Sequence, residues 1–253
     1  MAADGPHRHA RPPTPMTIAV IIPVLNEARC LAHTLAHTET LGFDELIIVD
    51  GGSSDDTCAI AQSFADRVGT RPSTKTGSMR MLTASRGRAR QLNAGAAASG
   101  CDVLLFLHAD TRLPMNARLD VSTALADAAC VGGRFDVRFD SSRLPARVVS
   151  CLMNLRSRWS GIATGDQAIF VRRVVFEKMG GFADLPLMED IEFTRRLKQA
   201  GPRASLPDEV VTAFRRWEQQ GPLRTILLMW TLRFLYWIGV SPHRLQHFYS
   251  MVR

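Results

Sequence analysis

Short apolar runs that end in Asp, Gly or Pro alternate along this chain with segments whose apolar residues recur every three or four positions. Residues 17–22 form a β-branched run that Pro23 closes, which predicts a first strand. Residues 27–40 carry helical periodicity. Residues 46–49 predict a second strand, closed by Asp50-Gly51-Gly52. Ser53-Ser54-Asp55-Asp56-Thr57 then supplies capping residues for a helix through Phe64. Residues 67–69 read as a short third strand, 71–78 as an exposed polar loop and 87–99 as an Ala-rich helix. The run 101–107 predicts a buried strand, and it hands over to the polar tip His108-Ala109-Asp110-Thr111.

Strand–helix alternation of this kind predicts an α/β fold: a mostly parallel, Rossmann-like sheet with helices on both faces. The second half reads as mixed, with helices over 116–128, 147–158 and 189–199 and strands over 131–139 and 168–171. The first of those strands alternates as if one face were exposed. Residues 223–240 are almost wholly apolar, interrupted by Arg224, Thr225, Thr231 and Arg233, and carry Trp230, Tyr236 and Trp237. This predicts a C-terminal apolar helix. It lies in a membrane surface, packs on its own domain or makes a dimer contact; the pattern leaves all three open.

The predicted organisation is a disordered tail over 1–15, an α/β domain over 16–217 and a helical segment over 218–253. The tail is rich in Pro, His and Arg and lacks the apolar centre of a secretory signal. No run of 18 uncharged apolar residues predicts a spanning helix.

Composition narrows the partners. A chain of 253 residues, 46% of them apolar, can bury a large α/β core. A net charge of +7 suits an anionic ligand or an anionic membrane surface. No Lys/Arg block is interleaved with aromatics, so nucleic acid is not a predicted partner. Five scattered cysteines without a CxxC pair argue against disulfides or a zinc knuckle and predict a cytoplasmic protein, free or peripheral at the inner membrane face.

Asp50 and Asp110 each follow a predicted strand, where open α/β sheets place their ligands. Glu189-Asp190 opens a late helix, where each acid could equally answer the helix dipole. Other signals fail. Residues 69–76 approach a P-loop, but Thr74 stands in place of the second glycine. The pairs His33/His37 and His243/His247 have helical spacing but lack the glutamate of a zinc-protease motif.

The segments Pro23-Val24-Leu25-Asn26-Glu27, Asp50-Gly51-Gly52-Ser53-Ser54-Asp55, Gly87-Arg88-Ala89-Arg90-Gln91-Leu92-Asn93, His108-Ala109-Asp110-Thr111, Gly165-Asp166-Gln167 and Met188-Glu189-Asp190 occur in that order. Together they resemble the family 2 glycosyltransferases of GT-A fold, in a bacterial subgroup described as "transferase 2, radical-SAM/selenodomain-associated". The resemblance runs over residues 17–217.

It implies inverting, metal-dependent transfer of one sugar from a nucleotide-diphosphate donor, UDP-type favoured, to a hydroxyl acceptor that could be lipid-like. Pro23, Asn26, Glu27, Asp50, Gly52, Arg88, Gln91 and Asp110 would bind the donor. Asp110 would also hold Mg²⁺ or Mn²⁺, and Asp190 would be the catalytic base. His108, Asp166, Gln167, Glu189 and Trp217 would line the donor-sugar or acceptor side. His108 replaces the first acid of the family's Asp-x-Asp motif, which leaves the choice of metal open. Two alternatives from other classes are a non-catalytic nucleotide-sugar scaffold and a nucleotidyltransferase on a related fold.

Overall fold

The computed structural model describes residues 16–70, 76–214 and 221–252. The predicted tail 1–15, most of the 71–78 loop and Trp217 lie outside them. The first half is β1 (Ile18–Val24), α1 (Ala28–Glu39), β2 (Glu45–Asp50), α2 (Thr57–Thr70), β3 (Ser78–Thr83), α3 (Arg88–Ala98) and β4 (Val103–Phe106). The second half is β5 (Thr111–Arg112), α4 (Ala117–Ala124), β6 (Gly132–Phe139), α5 (Leu144–Ser160), β7 (Phe170–Arg172), α6 (Arg173–Lys178), α7 (Glu189–Ala200), β8 (Arg203–Thr212), α8 (Pro222–Trp237) and α9 (Pro242–Val252). All eight strands share one sheet, in the order β3-β2-β1-β4-β7-β6-β8-β5.

The apolar runs become the central strands because they are covered on both faces. Side chains alternate across a strand. Ile18, Val20, Ile22, Leu46, Ile48 and Leu105 accordingly pack on one face with Leu31 and Leu35 of α1. Ala19, Ile21, Ile47, Val49, Leu104 and Phe106 pack on the other with Ala89 and Leu92 of α3 and Phe193 of α7. From β1 the chain winds outward through β2 to β3, then returns to place β4 on the other side of β1. The order therefore reverses between β1 and β4, and a crevice opens beyond their carboxyl ends. Beyond β4 the sheet is mixed: β7 runs antiparallel to β4 and β6, while β6 and β8 are parallel.

Several sequence expectations are corrected. Residues 67–69 belong to α2, where Arg67 pairs with Glu39 at 2.6 Å, and the third strand is Ser78–Thr83 instead. Pro23 does not close β1, which continues to Val24. Odd-numbered residues of β1 turn their backbone groups toward β4, as when the Ile21 carbonyl accepts from Leu107 N–H at 3.0 Å. Pro23 comes after the last β4 pair, so its missing N–H interrupts no ladder. Strand β6 is buried along nearly its whole length and has no open face, because it lies between β7 and β8 with α5 against it. The sequence reading missed β8, whose Pro207-Asp208 looks like a turn. Those two residues are an unpaired bulge: Leu206 pairs with Phe135 and Glu209 with Asp136. The short elements β5, α6 and α9 were also not foreseen.

Helix α3 lies close against the sheet at Gly95. A Cβ there would stand 2.5 Å from Ile21 Cγ2 and 3.0 Å from Val49 Cγ2, both branches of stiff β-branched side chains. Gly95→Ala is expected to lower stability by about 1–3 kcal/mol, read as a shift of the urea midpoint at unchanged slope.

Candidate active site

A cleft of about 830 Å³ lies beyond the carboxyl ends of β1 and β4. Its wall contains Pro23 and Glu27 after β1, Arg88 and Gln91 on α3, and His108 and Asp110 after β4. Asp166, Glu189 and Asp190 complete the polar side. Nine residues that the sequence singled out thus meet in one space. Asn26, Asp50, Gly52 and Gln167 are not part of that wall, and Trp217 lies outside the described residues.

Three tethers hold the Asp110 turn. The Leu107 N–H donates to the Ile21 carbonyl, the Thr34 hydroxyl donates to the Ala109 carbonyl at 2.6 Å, and Thr111 N–H closes on the His108 carbonyl at 3.2 Å. Among the described residues the Asp110 carboxylate itself receives only a long contact from the Thr111 hydroxyl, 3.4 Å. Its oxygens are therefore available to the cleft.

His108 Nδ1 lies 3.0 Å from Asp166 Oδ1. Asp166 sits on a 3₁₀ turn, Gly165–Gln167, closed by a capping box between Thr164 and Gln167. Gln167 is fully buried and builds this turn. A Cβ at 165 would meet His108 Nε2, so any larger residue there would displace the imidazole. The Gly165 N–H donates to Asp190 Oδ2 at 2.8 Å, and Ile191 N–H donates to Asp190 Oδ1 at 2.7 Å. One short turn thereby orients both His108 and Asp190.

Asp190 is in the first turn of α7, directly after Glu189. Ahead of them Met188 adopts φ +69°, a left-handed conformation that costs a non-glycine residue free energy. Burial against Leu232 of α8 and Leu245 of α9 holds it there. Glu189 is buried and ion-paired with Arg88 at 3.7 Å. Burial first, and then the Asp190 charge, push the Glu189 carboxyl up, while Arg88 pulls it down. For Arg88, desolvation works against the charge, but Glu189, Asp166, Asp190 and Asp110 together raise its pKa. Its side chain is still 47% exposed, so a ligand in the cleft can reach it.

The sequence reading missed Arg233 as a site residue and saw it only as an interruption of an apolar helix. It lines the cleft from α8. Burial lowers its pKa, and Asp190 and Asp166 oppose that shift. Behind it, burial and then the Arg233 charge bring Arg156 down to about 10. The available signal was a single arginine deep in an apolar stretch, which needs a polar destination. His243, Gln246 and Tyr249 of α9 also reach the cleft wall.

Asp50 and Asn26 hold the adjoining loops together. The Asp50 carboxylate accepts from Gly52 N–H at 2.8 Å, Ser53 N–H at 3.0 Å and the Ser53 hydroxyl. Asn26, at φ +56°, accepts from Ser54 N–H at 2.8 Å. Gln91 donates its amide protons to the carbonyls of Val24 and Val49, 2.8 Å each. Among the described residues no three His, Cys, Asp or Glu side chains form a closed metal-binding group. Asp110 instead offers one open carboxylate beside basic groups, a donor set that suits an ion shared with a phosphorylated ligand.

Comparisons with known proteins identify a family and a fold. The family described as Glycosyl transferase family 2 matches residues 19–182. The chain is 29% identical over 225 residues to "Probable glycosyltransferase YdaM" of Bacillus subtilis (strain 168), covering 80% of this chain and 50% of that protein. It is 30% identical over 176 residues to a "PGL/p-HBAD biosynthesis glycosyltransferase" of Mycobacterium bovis (strain BCG / Pasteur 1173P2), covering 66% and 61%. The chain thus spans about half to two-thirds of the length of the curated relatives it matches. Among solved structures, "Mannosyltransferase PcManGT from Pyrobaculum calidifontis in complex with GDP-Man and Mn2+" superposes at TM-score 0.63 with 19% identity, covering 95% of this chain and 70% of that one. "S. aureus TarS 1-349 in complex with UDP-GlcNAc" superposes at TM-score 0.56 with 15% identity, covering 78% and 56%. At these identities the structural likeness speaks for the fold.

The Asp50 turn yields a pH prediction. Burial disfavours its charge, but the hydrogen bonds from Ser53 and Gly52 outweigh this and set its pKa below the ordinary carboxylate value. The contribution of this charge to stability is therefore full above the unfolded pKa of about 3.9 and is lost as pH falls through the folded value. Asp50→Asn is expected to be less stable than the wild type by about 1–3 kcal/mol at pH 7. In thermal unfolding series that gap narrows below pH 4.

Proposed function

The chain belongs to glycosyl transferase family 2, and on that premise we propose that it transfers a single sugar from a nucleotide-diphosphate donor to a hydroxyl acceptor, with inversion and with a divalent metal. The observation that carries this reading is the meeting of Asp110, Asp166, Glu189 and Asp190 with Arg88 and Arg233 around one cleft at the sheet's order reversal.

The donor's diphosphate belongs at the start of α3. No side chain caps that helix, whose first turn is led by Gly87 in the cleft wall. Unpaired N–H groups at a helix start, with Arg88 beside them, favour a diphosphate. Pro23 and Glu27 stand where the nucleoside would lie, and a UDP-type donor is the favoured choice, with the Glu27 carboxylate accepting from a base N–H. Asp110 and the donor's phosphate oxygens would hold Mg²⁺ or Mn²⁺, with His108 beside them. When bound, the ion neutralises charge gathering on the departing diphosphate. Mn²⁺ and nucleotide sugars in the similar structures support this assignment.

Asp190 is the proposed base. Two backbone N–H groups fix its carboxylate, and it is less buried than Glu189. It can take the proton of an acceptor hydroxyl as that oxygen attacks the anomeric carbon. One base acting on one in-line attack gives inversion. Glu189 pairs with Arg88 and has the positioning role. His108 and Asp166 orient each other beside the sugar, and Arg233 stands near the base on the acceptor side.

Asp190→Asn is expected to cut transfer at least ~100-fold while leaving nucleotide-diphosphate binding in the presence of Mn²⁺ intact. Unchanged turnover, followed by release of nucleoside diphosphate from a panel of UDP- and GDP-sugars, would remove Asp190 from the chemistry. Asp110→Asn is expected to abolish the metal-dependent part of nucleotide binding in calorimetry. Equal affinity with and without metal in both proteins would overturn the metal assignment.

A further inference from the structure

Two neighbouring helices carry outward stripes that the sugar chemistry does not use. On α5, Leu144, Val148, Leu152, Leu155 and Trp159 are all exposed and recur at helical spacing, while Ala146, Val149 and Met153 are buried beneath them. On α8, Leu227, Trp230, Phe234 and Trp237 form a second stripe with the same property. Trp159 is 93% exposed and Trp237 80%. Helices α5 and α8 pack against one another, and α9, with exposed Phe248, packs on α8. Exposed apolar surface on this scale marks an interaction site.

Charge indicates which partner. Residues 143–160, 222–237 and 242–252 contain seven arginines and no Asp or Glu. The chain's whole net charge of +7 therefore resides in these segments, and the remaining residues carry equal numbers of acids and bases. Arg147, Arg224 and Arg244 are exposed there; Arg158 is also exposed and pairs with Asp136 of β6. Tryptophans and leucines flanked by arginines without acids match the composition of a segment seated at an anionic lipid surface. A second copy of the same face would bring arginine against arginine.

We propose that α5 and α8 together dock the protein on an anionic lipid bilayer, their indole and leucine side chains entering the headgroup region and their arginines meeting lipid phosphates. No helix among the described residues is long and apolar enough to cross a membrane, so this contact lies in the plane of the surface. Helix α8 also lines the cleft, through Met229 and Arg233, so docking brings the cleft to the bilayer. The proposal goes beyond sugar transfer and does not depend on it.

The test uses the full chain with vesicles of phosphatidylcholine alone or with 30% phosphatidylglycerol, read by co-sedimentation and by tryptophan fluorescence. The expected result is binding to the anionic vesicles at least tenfold tighter than to the neutral ones, with a blue-shifted emission. The double variant Trp159→Glu/Trp237→Glu is expected to lose that binding at least tenfold while keeping the thermal unfolding midpoint and nucleotide binding of the wild type. Arg147→Glu/Arg224→Glu should weaken it and flatten its dependence on salt. Absence of vesicle binding by the folded wild type would overturn the proposal. So would a dimer in solution that the tryptophan variant dissociates while vesicle binding is unaffected.

Discussion

The amide of Gln91 is the join on which the cleft depends. One side-chain nitrogen bridges the carbonyls of Val24 and Val49, at the carboxyl ends of the paired strands β1 and β2. Gly51 N–H also donates to the Val24 carbonyl at 3.0 Å, so the amide adds a second donor there, each such bond contributing about 0.5–1.5 kcal/mol. The same helix makes its other crosslinks with comparable economy. Arg90 forms a two-pronged pair with Asp184, at 2.9 and 2.8 Å. Asn93 donates to the Phe182 carbonyl and accepts from the Phe182 N–H, as a strand neighbour would. Gly95 lets the helix settle onto Ile21. Helix α3 thereby fixes the distance between the sheet edge and the loop that leads into α7.

With that frame set, the cleft's electrostatics follow from crowding. Asp110, Asp166, Glu189 and Asp190 are four of the six carboxylates in the wall, and they share it with Arg88, Arg233 and His108. Like charges so close would oppose one another strongly without the guanidinium groups. Glu189 shows the residual strain, since its neighbour Asp190 raises its pKa although Arg88 stands beside it. Arg88 holds the opposing acids together and keeps an exposed surface for an anion. Its pairing with Glu189 is long, 3.7 Å, and so can be exchanged for a phosphate without breaking a tight bond.

Much of the first half was legible because parallel, doubly covered strands leave unbroken apolar runs, as in residues 18–22 of β1 and 46–49 of β2. Asp110 and Glu189-Asp190 were legible as acids at element ends. The placing of Gln91 was visible only as a motif member, because its work is done on backbone carbonyls 42 and 67 residues away. Strand β8 was hidden because its sequence, with Pro207 and Asp208, obeys the rules for a turn, and only its pairing with β6 overrides them. Arg233 was hidden for the opposite reason. A helix that is apolar on most sides gives no reading of which neighbour its one buried charge will face.

Met188 links the acids at the start of α7 to the C-terminal helices. Its left-handed backbone sets the direction in which Glu189 and Asp190 enter α7, and its apolar cover comes from Leu232 and Leu245. A ribosome adding roughly 5–20 residues per second makes that cover several seconds after it has made Met188. During synthesis the nascent protein can thus form its sheet and its donor-side loops first, while the turn carrying the two acids lacks its support. The arrangement delays assembly of the cleft until the C-terminal helices have folded back. Segments that differ in composition on either side of residue 217 are in this way joined by apolar contact at Met188.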